Sequence, residues 1–113
     1  MFEWREYLDL ARILFAHPLE PAEASWRTTA SRAYYAAFHK CRLMLEEREG
    51  RIAGPGSHSY VVRQLRRRVE TEAAAATLNR IFKLRINADY YSDPPFTERD
   101  AEMALELAVE LLG

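Results

Sequence analysis

The chain holds one cysteine, Cys41, and four glycines in 113 residues. A lone cysteine excludes a disulfide framework and any paired-cysteine metal site. Among the apolar residues of a predicted helix it is expected as a small buried hydrophobe. Glycine occurs only at 50, 54, 56 and 113, so no glycine-rich loop is available to cradle a phosphate. Neither an HExxH pair nor a Ser-His-Asp grouping is present, and no motif calls for a metal or a cofactor. No apolar run approaches the roughly 18 residues of a membrane span, and Met1-Phe-Glu-Trp-Arg5 has no signal-peptide pattern. The expectation is a cytoplasmic protein without a membrane partner. An excess of charge of either sign is missing too: the net charge is -1 and the pI about 6.3, which removes the global basic field of general nucleic-acid binders. A local patch stays open. Lysine is confined to Lys40 and Lys83, and every other basic residue bar the histidines is arginine. Genome composition accounts for such a bias; so does recognition of phosphate or carboxylate by the planar guanidinium fork.

What is present reads as helix. At this length and 49% apolar content the chain is expected to be one domain spanning residues 1–113. Prolines at 18, 21, 55, 94 and 95 and the glycines cut it into helical segments, with no alternating stretch that reads as a strand. A first helix is predicted over Phe2–Phe15. A long second one over Ala22–Glu49 carries an apolar stripe of Trp26, Ala30, Ala33, Tyr34, Ala37, Phe38, Cys41, Met44 and Leu45. Ser57 is placed to cap a third helix that continues through Val61, Val62, Leu65 and Val69. The fourth spans Glu72–Tyr91. The fifth opens on Thr97-Glu-Arg-Asp100, close to a capping box, and buries Ala101, Ala104, Leu105, Ala108, Leu111 and Leu112. The fold class is therefore all-α: an antiparallel up-and-down bundle of four to five helices.

One residue breaks the apolar pattern. At about 100° per residue, Arg85 falls inside the arc of Leu78, Ile81 and Phe82 on the fourth helix. Asp89 lies one turn onward on the same face. Two readings stay open here: a partly buried Arg85–Asp89 ion pair stitching helices together, or an arginine held to bind a phosphate or another anion. Arg before Asp is the weaker order for such a pair.

Other candidates are less pointed. Arg32 and His39 share a face of the second helix opposite the Tyr34 stripe, with Ala36 and Leu43 beside them. They lie roughly 10 Å apart along the axis, too far for a direct hydrogen bond. That face is expected to be solvated, or to pack on a partner or another helix. His58 sits at a helix start, where capping and loop chemistry explain it as well as catalysis does. Arg66-Arg67-Arg68 points in three directions, which fits a charged outer face and leaves a nucleic-acid contact open.

Ser31-Arg-Ala-Tyr-Tyr-Ala-Ala-Phe-His39 resembles the hallmark of the HEPN domain family (higher eukaryotes and prokaryotes nucleotide-binding). The order of the rest fits: Gly56-Ser-His58 after the inter-helix loop, then Leu84-Arg85 leading into Ala88-Asp89-Tyr90, and a final amphipathic helix. The resemblance implies an all-α bundle, usually a homodimer, often paired with a small nucleotidyltransferase as the toxin of a toxin–antitoxin system. Active members are metal-independent ribonucleases whose motif is an arginine followed, after about four to six residues, by a histidine. In such a site the arginine steadies the scissile phosphate and the histidine moves a proton.

Arg85 matches that arginine, but Tyr90 and Tyr91 stand where the histidine belongs. A phenol, with an ordinary pKa of about 10, is a poor base at neutral pH, though it can donate a hydrogen bond or a proton. Some relatives carry a tyrosine here that accepts a nucleotide from the partner transferase, which makes Tyr90 or Tyr91 the candidate acceptor. RNA is thus the ligand that the resemblance implies. The catalytic candidates are Arg85, Tyr90 and Tyr91, with Asn87 and Asp89 as binding residues and Arg32, His39 and His58 as secondary ones. A noncatalytic nucleotide- or nucleic-acid-binding interaction domain is the alternative.

Overall fold

The computed structural model describes residues 1–113 and contains five helices and no strand. They are α1 (Arg5–Ala16), α2 (Ala22–Glu49), α3 (Ser57–Arg66), α4 (Val69–Tyr90) and α5 (Glu98–Leu112). The bundle is all-α, as the periodicity required.

The breakers act as their chemistry dictates. Pro21, in extended backbone, precedes the first turn of α2, where a missing N–H costs nothing. Gly50 ends α2 at φ 84°, a left-handed value that suits glycine, and its N–H closes on the Glu46 carbonyl. Thr97 and Asp100 form the full reciprocal box at the start of α5, each side chain accepting the other's backbone N–H at 3.1 and 2.9 Å. α3 differs from expectation at both ends. Gly56 is its cap, with Ser57 already helical, and it stops at Arg66 because the backbone at Arg68 is extended. Val69 opens α4 instead and is left exposed. The Thr71 hydroxyl closes the junction by donating to the Leu65 carbonyl at 2.6 Å.

α2 is the central helix and packs against the other four. Alanines at 30, 33, 36 and 37 are all buried, so neighbouring helices approach closely on more than one side. The core also takes Leu8 and Ala11 from α1, Leu65 from α3, Leu78 and Ile81 from α4, and Ala104 and Ala108 from α5. Contacts between side chains give the directions. Arg27, Ser31 and Tyr35 of α2 meet the Asn87–Tyr91 end of α4, then Asp89, then Arg85, so α2 and α4 run antiparallel. Trp4 meets His39 and Tyr7 meets Arg32, so α1 runs antiparallel to α2. α1 accordingly packs over the α2 face bearing Arg32 and His39 and leaves both half-buried.

A candidate anion site on helices two and four

The register of α2 on α4 brings two pairs of residues, each one turn apart, into a single cluster. Ser31 and Tyr35 face Asp89 and Arg85. Arg85 Nε donates to Asp89 Oδ2 at 2.9 Å and its Nη2 donates to the Tyr35 hydroxyl at 2.8 Å. Asp89 Oδ2 also accepts from the Ser31 hydroxyl at 3.1 Å. The guanidinium carbon lies 5.2, 5.6 and 5.3 Å from the ring centroids of Tyr35, Tyr34 and Tyr90, a cage of π-faces that favours a cation. Only 15% of the Arg85 side chain is exposed. Burial alone would lower its pKa, but Tyr35, Asp89 and Tyr90 outweigh burial and leave the pKa above the ordinary value. Arg85 is therefore a fixed, permanent cation whose Nη1 donates no hydrogen bond within the chain.

A second guanidinium stands across Tyr35. The Arg32 guanidinium carbon is 4.9 Å from the Tyr35 ring and 4.8 Å from the Tyr7 ring, and its Nη2 reaches the Ser31 hydroxyl at 3.4 Å. Arg85, Arg32 and Asp89 together leave one positive charge in excess. The two largest recesses described, of about 530 and 330 Å³, lie elsewhere; Asp89 and Tyr90 are exposed, so the cluster is open to solvent on the α4 side.

The residues singled out from the sequence divide in space. Arg85, Asp89, Tyr90 and Arg32 come together. Tyr90 is 66% exposed and its ring borders Arg85. Asn87 and Tyr91 lie on the other flank of α4, lining a recess of about 180 Å³ with Leu84, Asp93 and Phe96. There Arg27 ties the end of α4 to α2 by donating to the carbonyls of Asn87, Ala88 and Tyr91.

Neither secondary histidine bonds to Arg85. His39 stacks on Trp4 at 3.7 Å and its Nδ1 accepts from Arg42 Nε at 3.0 Å. Burial, then the Arg42 charge, pushes its pKa down to about 4. His58 lies in the first turn of α3, at the helix start that the sequence indicated. It stacks on Phe82 at 3.7 Å, shares a 2.8 Å hydrogen bond between Nδ1 and the Tyr34 hydroxyl, and is lowered by burial below the usual histidine value.

Ser31 and Tyr35 join the cluster although nothing in the sequence singles them out as site residues. Their one-turn spacing matches that of Arg85 and Asp89, a signal that becomes visible only once α2 and α4 are known to face each other.

Fold and site together define a class: a helical bundle with a caged arginine and a second arginine beside it. The family model for the HEPN domain matches residues 5–113, and the chain belongs to that family. No curated protein and no solved structure matches the chain. Membership supports a nucleotide- or RNA-related role. No helix is long and apolar enough to cross a membrane.

Proposed function

We propose that residues 1–113 act as a single HEPN domain of the toxin–antitoxin type. On this reading the protein is a homodimeric, metal-independent endoribonuclease of the cytoplasm, restrained by a partner nucleotidyltransferase. The observation that supports it most is the Arg85 guanidinium, held on two edges by Asp89 and Tyr35 with Nη1 free, and with Arg32 behind Tyr35. An open patch also fits a site completed by a second copy of the chain, which would place two Arg85 side chains around one RNA strand.

The reaction this geometry would serve is transesterification. The ribose 2′-oxygen attacks the adjacent phosphorus and loses its proton to solvent. The P–O5′ bond breaks, and the departing oxygen takes a proton from Tyr90, leaving a 2′,3′-cyclic phosphate. Arg85, with Arg32 nearby, would stabilise the charge that builds on the non-bridging oxygens. Asp89 orients Arg85 and is assigned no proton transfer. Asn87 and Tyr91, on the far flank, would contact a flanking nucleotide and take no part in the chemistry.

The exposure of Tyr90 and Tyr91, 66% and 57%, supports their candidacy as acceptors of a nucleotide from the transferase. Co-expression with a transferase encoded beside this gene, followed by intact-mass and peptide analysis, tests this. The expected result is a nucleotidyl mass added at one of the two tyrosines together with loss of growth arrest. Relief of arrest without any added mass counts against it.

One observation favours the noncatalytic alternative. Asp89 already compensates Arg85, and both nearby histidines are engaged elsewhere, His39 with Arg42 and His58 with Tyr34. A domain that only binds nucleotide or RNA, or docks the transferase, would retain affinity and show no cleavage.

A further inference from the structure

The charges of this nearly neutral chain are segregated. From Ser57 to Arg68 there is no carboxylate, while Arg63, Arg66, Arg67 and Arg68 are all present and exposed. None of the four is in an ion pair; Arg67 alone has a side-chain partner, the neutral Gln64 at 3.3 Å. α5 is the reverse, with Glu98, Asp100, Glu102, Glu106 and Glu110 against Arg99 alone. α3 packs on α4 and α2 and does not touch α5, so the two charged elements do not neutralise each other.

Two recesses run beside α3 and share Ser59 and Arg63. One, of about 530 Å³, is also lined by Arg51, Ser57 and Glu49. Its one acid, Glu49, is occupied by the Tyr60 hydroxyl at 2.8 Å. The other, of about 180 Å³, adds Arg66, Asn79 and His58 and contains no carboxylate. The Asn79 carbonyl oxygen lies 3.5 Å from His58 Nε2, while its amide nitrogen makes no hydrogen bond within the chain. The Ser59 hydroxyl makes none either. Two guanidinium groups, a hydroxyl and an amide thus converge on one recess as donors, which is the complement of a phosphate. His58 closes its inner side and hydrogen-bonds Tyr34, whose ring borders Arg85. The recess and the Arg85 cluster therefore meet at one tyrosine–histidine pair.

We propose that the α3 edge is a backbone-binding track for single-stranded RNA, with a phosphate seated among Arg63, Arg66, Ser59 and Asn79 and the strand led from there to Arg85. The proposal rests on the RNA reading above and adds the surface that supplies affinity, as distinct from the chemistry.

The test is anisotropy of a fluorescein-labelled single-stranded oligoribonucleotide, titrated with the full chain across a range of salt concentrations. Doubly substituted Arg63→Gln, Arg66→Gln protein should bind roughly tenfold more weakly at low salt, with the slope of log K against log salt shallower by about 1.4. The Arg63→Lys, Arg66→Lys protein should keep most of that slope. Circular dichroism should match the unsubstituted protein throughout, since both side chains are exposed. Unchanged affinity and slope overturn the track, as does absence of RNA binding by the unsubstituted protein. Loss of binding to phosphatidylserine vesicles with RNA binding intact also overturns it, assigning the patch to a lipid surface. The two readings separate cleanly. Cleavage that needs Arg85 but ignores the glutamine pair removes the track alone. RNA affinity that needs Arg63 and Arg66, without cleavage, keeps the track and removes the ribonuclease.

Discussion

An exposed arginine one turn before an aspartate on a helix contributes only a few tenths of a kcal/mol, and in this order less still. Arg85 is held by more than that: the Tyr35 hydroxyl at 2.8 Å, Ser31 on the aspartate, and three aromatic rings around the guanidinium. Tyr35→Phe removes one acceptor from this partly buried cation and should lower the unfolding free energy in urea by about 1–2 kcal/mol. Asp89→Asn keeps the shape and removes the compensating charge. It should tighten binding to single-stranded RNA and steepen its salt dependence by about 0.7; unchanged affinity would mean that Arg85 is not a phosphate ligand. Arg85 was legible as an exception because it falls within the apolar arc of its own helix. Ser31 and Tyr35 were not, since their meaning depends on which helix lies opposite and in what register.

Among the elements, burial separates residues that periodicity treats alike. Leu78 is fully buried and Val69 exposed, so Leu78→Ala should cost about 2–5 kcal/mol and Val69→Ala within about 0.5 kcal/mol, both read by urea unfolding. A large loss at Val69 would contradict the helix break at Arg68. The apolar spacing runs on through Leu65 and Val69 as if one helix carried both, which is why the sequence placed the break between the third and fourth helices after Val69 and not before it. The bounds of α2 were legible from Pro21 and Gly50, but its second packing face was not. A helix flanked on several sides buries alanines all round, and no single stripe then marks what is inside. For that reason the face bearing Arg32 and His39 could be read as solvated or as packed on another helix; α1 lies over it.

On the scale of the whole molecule, the histidines that do not touch Arg85 make its stability depend on pH. His39 is held neutral between Trp4 and Arg42, with a pKa near 4 against an ordinary 6.5. The unfolded chain therefore binds a proton that the folded chain refuses between those values, and stability falls as pH falls through that window. His58, lowered by burial, acts in the same direction. The Tm should decline from about pH 6.5 toward pH 4, and His39→Gln should flatten the decline in that interval. An unchanged profile in the variant would show that His39 titrates freely.

If Arg85 is where this protein acts on RNA, as proposed, removing its guanidinium must remove cleavage. The direct measurement is the rate at which purified protein cleaves a labelled single-stranded RNA, compared with Arg85→Ala protein of the same secondary structure and oligomeric state. Cleavage should fall by about 100-fold or more, the usual consequence of losing a preorganised charge stabiliser. Equal cleavage by the two folded proteins would contradict the proposal.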